Sequence, residues 1–62
     1  MKSDVDLSRN EALVLEALAR SPRPAIDVAK RAGLPLATAT GALAMLALTG
    51  SAVESPRGWA RA

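Results

Sequence analysis

The stretch "GLPLATATGALAMLALTG", residues 33–50, carries no Lys, Arg, Asp or Glu. Within it Ala39, Ala42, Leu43 and Leu46 recur at i, i+3, i+4 and i+7, the spacing of one buried stripe on an α-helix. That spacing predicts a helix from Pro35 or Leu36 to Leu48 or Thr49, stopped by Gly50. Leu36, Ala37, Thr40, Gly41, Ala44, Met45 and Leu48 fall on the opposite side, where nothing demands water. Gly41 in the middle of such a helix costs about 1 kcal/mol against Ala. It has two readings: close packing against the first helix, or a smooth outer surface that admits another backbone.

Upstream, "PAIDVAKRAG" is a second, short helix. Pro24 suits its first turn. Asp27 lies early and Lys30 and Arg31 late, as the helix dipole favours. Val28, Ala29 and Ala32 form its inward face. Gly33 is expected to stop it in the left-handed conformation, with Leu34 tucking back into the core. Further upstream, "LSRNEALVLEALARS" is a first helix. Ser8 and Glu11 are spaced as a capping box, with Leu7 at the staple position. Val14, Leu15 and Leu18 make the apolar stripe, flanked by Ala12 and Leu13. Arg20 is expected in the last turn, and "SPRP" stops the helix by Ser21.

Downstream of Gly50, "SAVES" and "GWARA" are two short strands around a tight turn at Ser55, Pro56, Arg57 and Gly58. The order helix, short helix, turn, helix, hairpin is that of a winged helix-turn-helix. The expectation is a mainly α domain with a small β-hairpin over residues 7–62, preceded by a flexible tail, residues 1–6.

At 62 residues the chain is a single domain near the lower limit for folding on one core. It has no Cys and no His, which removes thiolate metal sites and the usual general base. Asp4, Asp6, Glu11, Glu16, Asp27 and Glu54 are scattered, no nucleophile sits beside a base, and no Gly-rich phosphate loop is present. Catalysis, a cofactor and a metal are therefore not expected. Trp59 is the sole aromatic residue, and a lid on the core is its simplest role. The net charge of +2 permits DNA contact without arguing strongly for it. The chargeless run from Gly33 to Val53, behind Lys30 and Arg31, has the outline of a membrane span. Pro35, the interrupting glycines, Thr38, Thr40, Thr49 and Ser51 argue against one. A cytoplasmic chain with no membrane contact is expected.

The segment "GLPLATATGALAMLALTGSAVESPRGWARA" resembles the C-terminal winged-helix domain of the DprA (Smf) DNA-processing proteins. The matching features are "AGLP" at the turn, the paired leucines of the third helix, Gly50 before the wing, and "PRG" in the hairpin. With "LSRNEALVLEAL" and "IDVAKRAGLP" upstream, the resemblance covers residues 7–62. It implies an accessory module of a longer protein, whose Rossmann-like domain binds single-stranded DNA and helps load RecA during natural transformation. The chain departs from a base-reading winged helix in one respect. The outer positions of its third helix hold Leu36, Ala37, Thr40, Gly41 and Ala44 where Arg, Lys, Gln, Asn or Ser would do the reading.

Two functions follow as expectations. In the first, the module is a nucleic-acid accessory in DNA uptake and recombination. It touches single- or double-stranded DNA weakly through Lys30, Arg31, Thr38, Arg57 and Arg61. Four cationic contacts would give a salt slope of at most about −3.6. In the second, it is a protein-interaction module. Leu36, Thr40, Gly41, Ala44, Met45 and Leu48 would then meet a second copy in a homodimer, or a Rossmann-like parent domain. A stand-alone transcriptional regulator would need a dimerisation element and side-chain readout, of which the sequence offers little.

Overall fold

The computed structural model describes residues 2–62, with side chains from Arg9 onward. Its elements are α1 (Lys2–Ala17), α2 (Ala25–Ala32), α3 (Leu36–Leu48), β1 (Ala52–Ser55) and β2 (Gly58–Arg61). The three helices pack against one another pairwise, and β1 continues from α3. Three helices followed by an antiparallel hairpin make a winged helix-turn-helix, as the periodicities imply.

The centre of the core takes one residue from each helix: Val14, Val28 and Leu43, all fully buried. Around them lie Ala17, Leu18, Ala29, Ala39, Ala42, Leu46 and Ala52. Alanine dominates this shell because its small side chain lets helix backbones come close. The few large side chains then supply most of the hydrophobic stabilisation, roughly 1.5–3 kcal/mol for each one fully buried. Leu15, Ala25, Ala32, Leu34 and Trp59 are partly buried against this cluster. Trp59 is thus the expected lid.

Ala39, Ala42, Leu43 and Leu46, the stripe read from residues 33–50, are the buried residues of α3. The turn before α3 is closed by two backbone bonds. Gly33 donates to the Lys30 carbonyl at 3.2 Å, and Leu34 donates to the Ala29 carbonyl at 3.0 Å. This is the Schellman arrangement. It requires Gly33 at φ 74°, where a Cβ would be strained. The reversal bends the chain by 104° between α2 and α3, within the range of helix-turn-helix pairs. α3 itself has 13 residues, and among the described residues no single helix is long and apolar enough to cross a membrane.

In the wing, Ala52 pairs with Arg61, Val53 with Ala60, Glu54 with Trp59 and Ser55 with Gly58. Pro56 and Arg57 form the two-residue tip. The Ser55 hydroxyl holds the tip, accepting from the Arg57 N–H at 3.3 Å and donating to the Gly58 carbonyl at 3.2 Å. An isolated bridge, unforeseen in "SPRP", adjoins the two-stranded sheet. Arg23 bridges Trp59 in antiparallel fashion.

Several local expectations are corrected. α1 continues back to Lys2, so Ser8 lies inside the helix and does not cap it. Residues 2–7 contain no Pro or Gly to stop the helix at Ser8. The side chains of Leu7 and Ser8, and with them the expected staple, lie outside the described residues. α1 ends at Ala17, which leaves Arg20 beyond its last turn. Pro24 occupies the N-cap of α2 with ψ 150°, one residue before the first turn. Gly41 is exposed, and a Cβ there would meet nothing within 4 Å. Close packing against α1 therefore does not explain it.

Candidate nucleic-acid interface

α3 is held on its inner side by α1 and α2. Its outer side is exposed among the described residues. Leu36 is 47% exposed, Met45 40% and Leu48 81%. Ala37, Thr40, Gly41 and Ala44 are exposed between them. Thr40 cannot offer its hydroxyl proton outward, because Oγ1 donates to the Ala37 carbonyl at 2.9 Å. This face therefore presents hydrocarbon, and its only side-chain polar atom is already engaged as a donor. Thr38 is half-buried at the edge of the face.

The start of α3 is different. Pro35 is its N-cap and makes no side-chain capping bond. The first backbone N–H groups of any helix lack intrahelical partners and carry the positive end of its dipole. At this end those groups are left for another acceptor. The first acceptor bond of α3 is made further on, from the Ala39 N–H to the Pro35 carbonyl at 2.9 Å.

Cations stand off the α3 face, on the elements around it. Lys30 and Arg31 are exposed in the last turn of α2, immediately before the Gly33 reversal. Arg57 is exposed at the wing tip. Arg61 is exposed too, but its guanidinium donates to the Leu15 carbonyl of α1 at 3.2 Å. That bond turns it toward the end of α1, so it serves the fold as well as any ligand.

Arg9 was not anticipated from sequence. It is exposed, and with Asn10 and Leu13 of α1 it lines an open groove of about 430 Å³ against Gly33 and Leu34. It thus shares the helix-turn-helix reversal with Lys30 and Arg31. Nothing in the local sequence marks Arg9. Only the packing of α1 across the turn brings it there.

A helix-turn-helix with an exposed second helix and a wing is the architecture of DNA-binding domains. The chain belongs to the family of the IclR helix-turn-helix domain, whose model matches residues 12–55. The matched region runs from α1 through the turn and α3 to the end of β1. This supports the winged-helix and DNA-binding parts of the resemblance to DprA proteins. It gives no link to DprA itself, to natural transformation or to recombination. Among curated proteins and among solved structures no significant match is found.

Proposed function

We propose that this domain docks on duplex DNA without catalysis, with α3 toward the major groove and the phosphates gripped from either side. The observation that carries the proposal is the family match to a helix-turn-helix domain over residues 12–55. The arrangement of charge is in keeping with it. Lys30, Arg31 and Arg9 stand near the turn and Arg57 stands on the wing, while the face between them is uncharged. The uncapped N-terminus of α3 adds backbone donors suited to a phosphate. Arg61 and Thr38 are secondary contacts at the margin. A chromosomal target accords with a cytoplasmic location.

Affinity then comes from the DNA backbone and is weak. Three or four phosphate contacts give a slope of log K against log salt of about −3. The test is a fluorescence anisotropy titration of a labelled duplex at low salt and at about 200 mM salt, where backbone-driven binding weakens sharply. Amide shifts are followed by NMR in parallel. Shifts at Lys30, Arg31, Arg57 and the first turn of α3 that fade with salt support the proposal. Silence at those residues in low salt rejects it.

A role in DNA uptake, as the DprA resemblance implied, is not carried further. A small regulator of transcription is compatible with the family. A second reading is favoured by one observation, the exposure of Leu36, Met45 and Leu48 around the outer side of α3. Apolar residues grouped in this way also suit a protein partner, either a second copy or another domain of a longer chain. Concentration-dependent shifts at Leu36, Gly41, Met45 and Leu48 without DNA would favour it.

A further inference from the structure

We infer that the outer face of α3 reads thymine methyl groups in the major groove, through Ala37, Thr40 and Ala44 with Leu36 beside them. The inference rests on the duplex-binding proposal and names the sequence feature that such binding would prefer.

Base edges in the major groove are distinguished by donors, acceptors and one apolar group, the C5 methyl of thymine. A helix that reads guanine or adenine needs a fork of donors or an amide. The exposed side of α3 has neither: between Leu36 and Leu48 it holds no charged side chain and no amide side chain. Thr40 spends its hydroxyl proton inside the helix, on the Ala37 carbonyl. What the face offers is methyl groups, from Ala37, Thr40 and Ala44.

The shape fits the same task. Ala37, Gly41, Ala44 and Leu48, at i, i+4, i+7 and i+11, lie opposite the buried stripe. The first three are small, and at Gly41 the space for a Cβ is open. A shallow helix surface lets base edges approach the backbone closely. Large side chains are confined to the ends and margin, at Leu36, Met45 and Leu48. In helix-turn-helix docking the N-terminal half of the second helix meets the bases. Ala37, Thr40 and Ala44 lie in or next to that half.

Charge complementarity selects DNA as the occupant. Along the chain the uncharged helix is preceded by the exposed cations Lys30 and Arg31 and followed by the wing, where exposed Glu54 and Arg57 stand. The exposed cations Lys30, Arg31 and Arg57 outnumber that acid and favour a polyanion as the partner. Thymine differs from uracil only in carrying a methyl where uracil carries hydrogen, so a preference for thymidine over deoxyuridine is set by that group alone.

The experiment measures binding of the whole 62-residue chain to four duplexes of equal length at low salt. They are an A·T duplex, the same duplex with deoxyuridine replacing thymidine, a G·C duplex, and that duplex with 5-methylcytosine replacing cytosine. Burial of one methyl is worth roughly a fourfold change in affinity. Two methyls on α3 therefore make the thymidine duplex on the order of tenfold tighter than the deoxyuridine duplex. 5-Methylcytosine strengthens binding to the G·C duplex in the same direction. The salt slope is the same for thymidine and deoxyuridine duplexes, because the phosphates are unchanged.

Thr40→Ser lowers the thymidine-to-deoxyuridine ratio, and Thr40→Val leaves it in place. Equal binding of thymidine and deoxyuridine duplexes overturns methyl reading while leaving backbone docking intact. A ratio that Thr40→Ser does not change overturns the assignment of Thr40. Absence of binding to all four duplexes rejects the docking proposal, and methyl reading with it.

Discussion

Arg23 and Trp59 exchange two backbone hydrogen bonds, Arg23 N–H to the Trp59 carbonyl at 2.9 Å and Trp59 N–H to the Arg23 carbonyl at 2.7 Å. The pair ties the connection between α1 and α2 to the second strand of the wing. The wing is thereby fixed to the helical body at its middle. At its base, Arg61 N–H donates to the Ala19 carbonyl at 2.8 Å. A two-stranded hairpin alone is marginal in water. With Arg23 bridged to Trp59 and Trp59 packed on the core, Arg57 is presented from a held tip.

The same contact makes Gly58 irreplaceable. Its φ is 126°, and a Cβ there would fall on the Arg23 carbonyl group. Backbone cannot move aside as a flexible side chain can. Gly58→Ala is expected to destabilise the domain by on the order of 3 kcal/mol or more. A domain of this size has roughly 3–9 kcal/mol in total. Urea unfolding followed by the fluorescence of the single tryptophan measures the loss directly. A cost below about 1 kcal/mol would contradict the close approach.

Gly41 and Gly33 differ in the opposite sense. Gly41 lies inside α3 with open space around a Cβ, so Gly41→Ala is expected to stabilise by about 0.5–1 kcal/mol. Gly33 also has open space, but its φ of 74° penalises any Cβ. Gly33→Ala is expected to cost about 1–2 kcal/mol. For a chain of this length each kcal/mol moves Tm by about 4–8 °C, so paired thermal melts resolve the two signs.

The helical part of this fold was legible because the signals are local. The stripe Ala39, Ala42, Leu43 and Leu46 and the stop at Gly33 depend on residues close in sequence, and both recur in the structure. The start of α1 is not legible, because Ser8 and Glu11 satisfy a capping pattern that the backbone does not use. The bridge at Arg23 is not legible in the sequence, because its pairing with Trp59 is long-range and leaves no periodicity in "SPRP". The interface was legible in part. An uncharged α3 could be seen at once, but the position of Arg9 beside the turn and the diversion of Arg61 to Leu15 follow only from packing.

Arg57 and Arg61 provide a contrast in salt dependence. Arg57 is exposed at the wing tip, whereas Arg61 holds the Leu15 carbonyl. Arg57→Ala is expected to reduce the salt slope of duplex binding by about 1 and to leave stability within about 0.5 kcal/mol. Arg61→Ala is expected to change the slope less and to lower stability slightly. Anisotropy titrations at several salt concentrations, with melts of the same variants, separate the two effects.

Leu43 and Leu48 lie on the same helix with opposite burial, at 0% and 81% exposure. Leu43→Ala removes the α3 contribution to the centre of the core and is expected to cost about 2–5 kcal/mol, enough to unfold much of the population. Leu48→Ser removes no buried contact and is expected to leave the melting temperature nearly unchanged. Its effect on association then discriminates between the two uses of the face. Docking in the groove engages the N-terminal half of α3, so Leu48→Ser leaves duplex affinity within about twofold. A protein partner covering the whole face would lose its most exposed leucine, and self-association measured by sedimentation velocity would fall. Unchanged DNA affinity with no self-association in the parent chain favours the groove. Concentration-dependent dimers abolished by Leu48→Ser favour the protein contact, because an exposed leucine can matter to association only where a partner buries it.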